Sequence, residues 1–129
     1  MSRDRFDHAY VAPASFEMTL RFYGQVLGWT VEERWGEPGS GRGARLASGD
    51  LSIVIAEQHA GTAPGRAGDL GKLALHLRVD DLDARYESLR EVALFPPEDT
   101  HWGTRWFVVR DPDGNRIAFE SPRLSAPGR

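Results

Sequence analysis

Apolar residues recur every three to four positions after Pro13-Ala14-Ser15: Phe16, Leu20, Tyr23 and Leu27, with Phe22 and Val26 beside them. That spacing lays one apolar stripe along a helix. Ser15 is placed to cap its first turn, Glu17 suits the positive end of the helix dipole, and Gly28 stops it. Phe6–Ala12 and Thr30–Trp35 carry aromatic and β-branched residues and read as flanking strands. Gly36–Gly43 is a loop by composition, and Ala44–Ser48 and Leu51–Glu57 form a hairpin around Gly49-Asp50.

The plan then repeats. Leu73, Leu75, Leu77 and Val79 alternate with Ala74, His76 and Arg78, the pattern of a half-buried strand. Asp80-Asp81 caps a helix with Leu82, Tyr86 and Leu89 on one stripe, and Arg85, Glu87, Arg90 and Glu91 read as its solvated face. Phe95-Pro96-Pro97 starts a loop. Thr104–Arg110 and Asn115–Glu120 are strands joined by Asp111-Pro112-Asp113-Gly114, a strong turn signal. Modules 6–57 and 73–120 are thus joined by a linker, 58–72, whose His59–Gly71 stretch holds four glycines and a proline. Residues 121–129 read as a loose tail. The expected architecture is α+β, with helices on one face of a sheet and the other face free to curve around a ligand.

Composition narrows the function classes. The 129 residues make a single domain. Sixteen basic against nineteen acidic residues, net −3, argues against a nucleic-acid binder. With no cysteine, disulfides, zinc-thiolate sites and cysteine nucleophiles are excluded. The longest apolar runs, Ile53–Ala56 and Val92–Phe95, are too short to span a bilayer. The first residues lack the apolar core of a secretory signal, so a cytoplasmic setting is expected.

Four segments carry a family resemblance: Phe6-Asp7-His8, the run Arg21-Phe22-Tyr23-Gly24-Gln25-Val26-Leu27-Gly28-Trp29, Leu77-Arg78-Val79-Asp80-Asp81-Leu82, and Trp106 through Asn115 with its RDPDGN turn. In this order the chain resembles the vicinal-oxygen-chelate superfamily of glyoxalase I, bleomycin-resistance proteins and extradiol dioxygenases. The resemblance implies two βαβββ modules forming a curved mixed sheet around a cavity, and a homodimer. Metal-dependent members place one ligand on each of four strands. Carried over position by position, these fall on His8, near Val54, on Ala74 and on Ala118. Only His8 can bind a cation, which leaves open whether the chain is an enzyme. His76 and Glu120 lie two residues beyond the third and fourth positions, on the same strand faces. His8, His76 and Glu120 therefore make an alternative site for iron, zinc, manganese or nickel, and an alternative function as a metal-dependent lyase, isomerase or dioxygenase.

The favoured expectation is a metal-free protein of the bleomycin-resistance type that binds a small molecule, an antibiotic or an aromatic or cationic metabolite. A Trp102-Gly103-Thr104-Arg105-Trp106-Phe107 run before the turn resembles that branch. Strand parity puts Phe107 and Val109 in the core and Trp106, Val108 and Arg110 on the open face. Tyr10, Trp35, Trp102 and Trp106 are the expected apolar contacts, with Trp102 on a loop able to close over them. His8, His76, Arg78 and Glu120 are the expected polar ones. Each has a plainer alternative: the histidines and Glu120 as polar residues on the wetter sheet face, the tryptophans as core or dimer contacts. His59 and His101 read as solvent-facing loop residues. The RDPDGN segment reads as a turn rather than a cation or phosphate loop.

Overall fold

The computed structural model describes residues 4–57 and 72–123. His59 and all of the expected linker except Lys72 lie outside them. The chain divides into two compact units, Met1–Gly71 and Lys72–Arg129.

The first unit runs β1 (Ala9–Val11), α1 (Phe16–Arg21), β2 (Thr30–Trp35), β3 (Gly43–Ser48) and β4 (Leu51–Ala56). Its sheet has the order β1-β4-β3-β2, with β1 parallel to β4 and the other pairs antiparallel. Ser15 caps α1, its Oγ accepting from the Met18 N–H at 3.3 Å. The helix expected to run to Leu27 changes pitch after Arg21. Phe22–Val26 form a π-helical turn, closed by Leu27 N–H to Phe22 O at 2.8 Å and Trp29 N–H to Tyr23 O at 2.9 Å. The wider turn rotates the apolar stripe. Thr19, not Leu20, is fully buried, Phe22 and Tyr23 are both buried, and Val26 is exposed. Gly28 takes the positive φ that ends the segment. Val11, Ala44, Leu46, Ile53 and Ile55 form the buried face of the sheet.

The second unit repeats this order with β5 (Ala74–Arg78), α2 (Leu82–Leu89), β6 (Glu98–Asp99), β7 (Thr104–Arg110) and β8 (Arg116–Pro122). The sheet is β5-β8-β7-β6, with β5 parallel to β8. Asp81 caps α2, accepting from the Ala84 N–H at 3.0 Å. Tyr86 meets Phe107 edge-on at 5.4 Å and Phe107 stacks on Phe119 at 5.1 Å, so α2 covers this face. Arg85, expected on the solvated side, is half-buried with its guanidinium over the Phe119 ring. Strand β6 was not expected. Its two residues pair with Trp106 and Arg105, and two residues cannot show an alternation.

The Asp111–Asn115 turn is held by side chains. Asp111 Oδ1 accepts from the Asp113 and Asn115 N–H groups, both at 2.8 Å, and Oδ2 accepts from Asn115 Nδ2 at 2.8 Å. Asn115 Oδ1 accepts from the Leu73 N–H at 2.7 Å and so ties the turn to the start of β5. Among the described residues no helix is long and apolar enough to cross a membrane.

Candidate functional site

Sheet register sets out the open face of the second unit as rows of side chains. Arg78, Glu120, Trp106 and Glu98 form one row across β5, β8, β7 and β6; His76, Ala118 and Val108 form the next; Ala74, Arg116 and Arg110 the third. The residues between them, Phe107, Val109, Ile117 and Phe119, are buried, as are Val108 and Ala118 of the middle row. Strand parity thus assigned this sheet's two faces correctly.

Glu120 is the hub. His76 Nδ1 donates to its Oε1 at 2.6 Å, and Thr104 Oγ1 and Trp102 Nε1 donate to its Oε2 at 2.8 and 3.1 Å. The Glu120 side chain is 16% exposed, that of His76 55%. Burial pushes the Glu120 carboxyl up. The hydrogen bonds from His76, Thr104 and Trp102 and the attraction to His76 outweigh it, so the net shift is downward.

Trp106 is the aromatic hub beside it. His76 stacks on it at 6.0 Å, Trp102 meets it edge-on at 5.2 Å, and Phe95 lies tilted at 5.9 Å. Its indole N–H donates to Glu98 at 3.3 Å. Trp102, expected on a closing loop, is already folded down. The Thr100 N–H bonds Thr104 O at 2.8 Å, the Thr104 N–H bonds Thr100 Oγ1 at 3.0 Å, and Gly103 takes a positive φ between them. His101 is exposed, packed edge-on against Trp102.

Two hollows share His76 as a wall. One, of about 320 Å³, is lined by Ala74, Leu75, His76, Leu94, Phe95, Trp106, Val108, Arg116 and Ala118. The other, of about 210 Å³, is lined by Arg78, Thr104, Glu120 and Ser121 together with Leu77 and Pro122. The remaining expected site residues belong to the first unit. Tyr10 donates its hydroxyl to Ala56 O at 3.0 Å, and burial pushes its phenol up. The Trp35 ring lies over Gly43, where any side chain would collide with it. His8 is exposed and pairs through Nδ1 with Asp7 at 2.6 Å.

Of the alternative metal ligands, His8 belongs to the first unit and His76 and Glu120 to the second. His76 Nδ1 and Glu120 Oε1 face each other at 2.6 Å. Among the described residues no group of three or more His, Asp or Glu side chains is arranged to hold a metal ion.

Expectation missed Leu94, Phe95, Thr104 and Arg116. Thr104 and Arg116 share strand parity with Trp106 and Glu120, so that signal was present. Leu94 and Phe95 lie outside regular strands, where no periodicity marks a face.

This two-module architecture has a counterpart among known families. The chain matches the model of the Glyoxalase/Bleomycin resistance protein/Dioxygenase superfamily over residues 5–119, and it belongs to that family. It is similar to the crystal structure of TnmS3, an antibiotic binding protein from Streptomyces sp. CB03234. The two share 28% identity and a TM-score of 0.72, over 95% of this chain and 98% of that one. A glyoxalase/bleomycin resistance protein/dioxygenase from Nocardioides matches at 18% identity and a TM-score of 0.76, over 100% and 91%. TioX from Micromonospora sp. ML1 matches at 21% and 0.71, over 91% and 99%. The last two show the fold alone. No curated protein matches the chain.

The Glu120 pair makes a stability prediction. Because the folded-state pKa is lowered, its stabilisation is present above the ordinary glutamate value of 4.5 and is lost as pH falls through the lowered value. Glu120→Gln should cost about 1 kcal/mol at pH 7, held low by the exposure of His76. Urea unfolding of both proteins should show that gap narrowing as the pH is taken progressively below 4.5. A gap independent of pH would deny the carboxylate this role.

Proposed function

We propose that the protein binds a small, flat aromatic molecule without a metal, as a binding protein of the bleomycin-resistance type. The observation that carries this reading is the hollow of about 320 Å³, whose walls are aliphatic except for Trp106, Phe95, His76 and Arg116. A ring set against Trp106 gains stacking as well as apolar burial. Glu120 supports the site from behind: it holds His76 and Trp102 at fixed angles around Trp106, so little side-chain entropy is left to lose on binding. The antibiotic-binding character of TnmS3 supports the same class of ligand. The reading carries with it a homodimer and a cytoplasmic setting, as the family resemblance implies. Light scattering during size exclusion tests the first.

Naphthalene-2-carboxamide is a suitable neutral probe. It should bind by calorimetry, and the indole N–H resonances of Trp102 and Trp106 should shift more than those of Trp29 and Trp35. Equal shifts, or none, would refute the site. The metal-free part is checked by elemental analysis after incubation with iron, zinc, manganese and nickel salts. About one tightly held ion per chain, lost in His76→Ala, would overturn it.

A further inference from the structure

The third row of the open face holds two like charges side by side. Arg110 on β7 and Arg116 on β8 are register partners, and both are exposed. Direct cross-strand partners have Cβ atoms about 5 Å apart, and like charges there are destabilising. Among the described residues neither guanidinium has an ion-pair or hydrogen-bond partner, as is true also of Arg5, Arg21, Arg34 and Arg78, whereas those of Arg42, Arg45, Arg90, Arg105 and Arg123 do. Asp111, next to Arg110 in the chain, turns both oxygens inward onto Asp113 and Asn115. On β5 the row ends in Ala74, whose small side chain leaves Arg116 unobstructed. Lys72 adds a third cation at this end, its side chain beside Gly114 of the turn.

Arg116 also lines the aromatic hollow. That hollow has stacking rings on one side and an unneutralised guanidinium on another. We infer that Arg110 and Arg116 form an anion site for the acidic group, a carboxylate or phosphate, of the aromatic ligand in this hollow. Two guanidiniums can present paired N–H donors to such oxygens, and the bound anion relieves their repulsion. The inference rests on the reading that the hollow takes a flat ring, and it replaces the expected cationic metabolite with an acidic one.

The test compares ligands sharing one ring at fixed ionic strength. 2-Naphthoate and 2-naphthyl phosphate should each bind at least about tenfold more tightly than naphthalene-2-carboxamide. The phosphate binding more tightly than the carboxylate would identify a phosphate monoester as the source; the reverse order would identify a carboxylic acid. In Arg116→Gln and Arg110→Gln the acid-to-amide affinity ratio should fall towards one. A ratio near one in the unmodified protein, or one unchanged in both variants, would overturn the proposal.

A second measurement is independent of any ligand. Arg110→Gln should raise the unfolding temperature by roughly 2–4 °C through relief of like-charge repulsion. A fall would mean that the guanidinium serves the fold, and would also overturn it. Should no naphthalene compound bind, the aromatic reading fails and the anion site is judged with sulfate alone. Saturable shifts of the Arg110 and Arg116 side-chain N–H signals sustain it; no saturable shift sinks it.

Discussion

Asp111→Ala is expected to destabilise the protein by about 3 kcal/mol, the largest loss of any single polar substitution here. Asp111 is 3% exposed and Asn115 4%. Removing the carboxylate orphans the Asp113 and Asn115 N–H groups and Asn115 Nδ2 together, and a buried unsatisfied donor costs about 1–3 kcal/mol. Asp111→Asn should recover only part of this, for a directional reason. An ionised aspartate only accepts, so Asn115 must point Nδ2 at Asp111 and Oδ1 at the Leu73 N–H. An amide at 111 that keeps accepting at Oδ1 sets its own NH₂ against Asn115 Nδ2. Flipping Asn115 to accommodate it would turn an NH₂ group onto the Leu73 N–H. Urea unfolding should therefore rank wild type above Asp111→Asn above Asp111→Ala. Full stability in Asp111→Asn would mean that the network has no fixed sense.

That network shows why the turn was legible in the sequence. Asp, Pro, Gly and Asn act through their own backbone, so their pattern is readable without knowing the fold. The caps Ser15 and Asp81 were legible for the same reason, as was the two-faced strand Thr104–Arg110. The π-helical turn was not. Phe16, Tyr23 and Leu27 fit an ordinary helix, and the extra residue at Phe22–Val26 accompanies the packing of Tyr23 against Phe22 and Trp29. The candidate site was half legible. His76, Trp102, Trp106 and Glu120 were singled out individually, but the pairing of His76 with Glu120 follows from placing β5 beside β8, a contact 44 residues apart. Parity names a face; it does not name the neighbour on the next strand. The unpaired state of Arg110 and Arg116 was invisible for the same reason, since it depends on which acids have been engaged elsewhere.

Trp106→Ala is expected to weaken binding of naphthalene-2-carboxamide by at least about tenfold, while lowering stability by about 1–2 kcal/mol. The two effects separate because of where the ring lies. Trp106 is half-buried on the open face, and its neighbours His76 and Trp102 keep their hydrogen bonds to Glu120 when it is removed. Its own N–H partner, Glu98, is exposed and can turn to water. Phe107, one residue on, is fully buried between Tyr86 and Phe119, and Phe107→Ala should cost about 3–5 kcal/mol. The adjacent pair is thus an internal calibration of face against core. A ligand that stacks on the Trp106 indole loses its largest flat surface in the alanine variant, about 1.4 kcal/mol for each tenfold in affinity. Trp106→Phe keeps an aromatic face of smaller area and drops the Glu98 bond, so it should bind with intermediate strength. Calorimetry and thermal unfolding on the three variants decide between the roles. If Trp106→Ala loses as much stability as Phe107→Ala and binding follows only the folded fraction, Trp106 is a core residue and the hollow beside it is not the site.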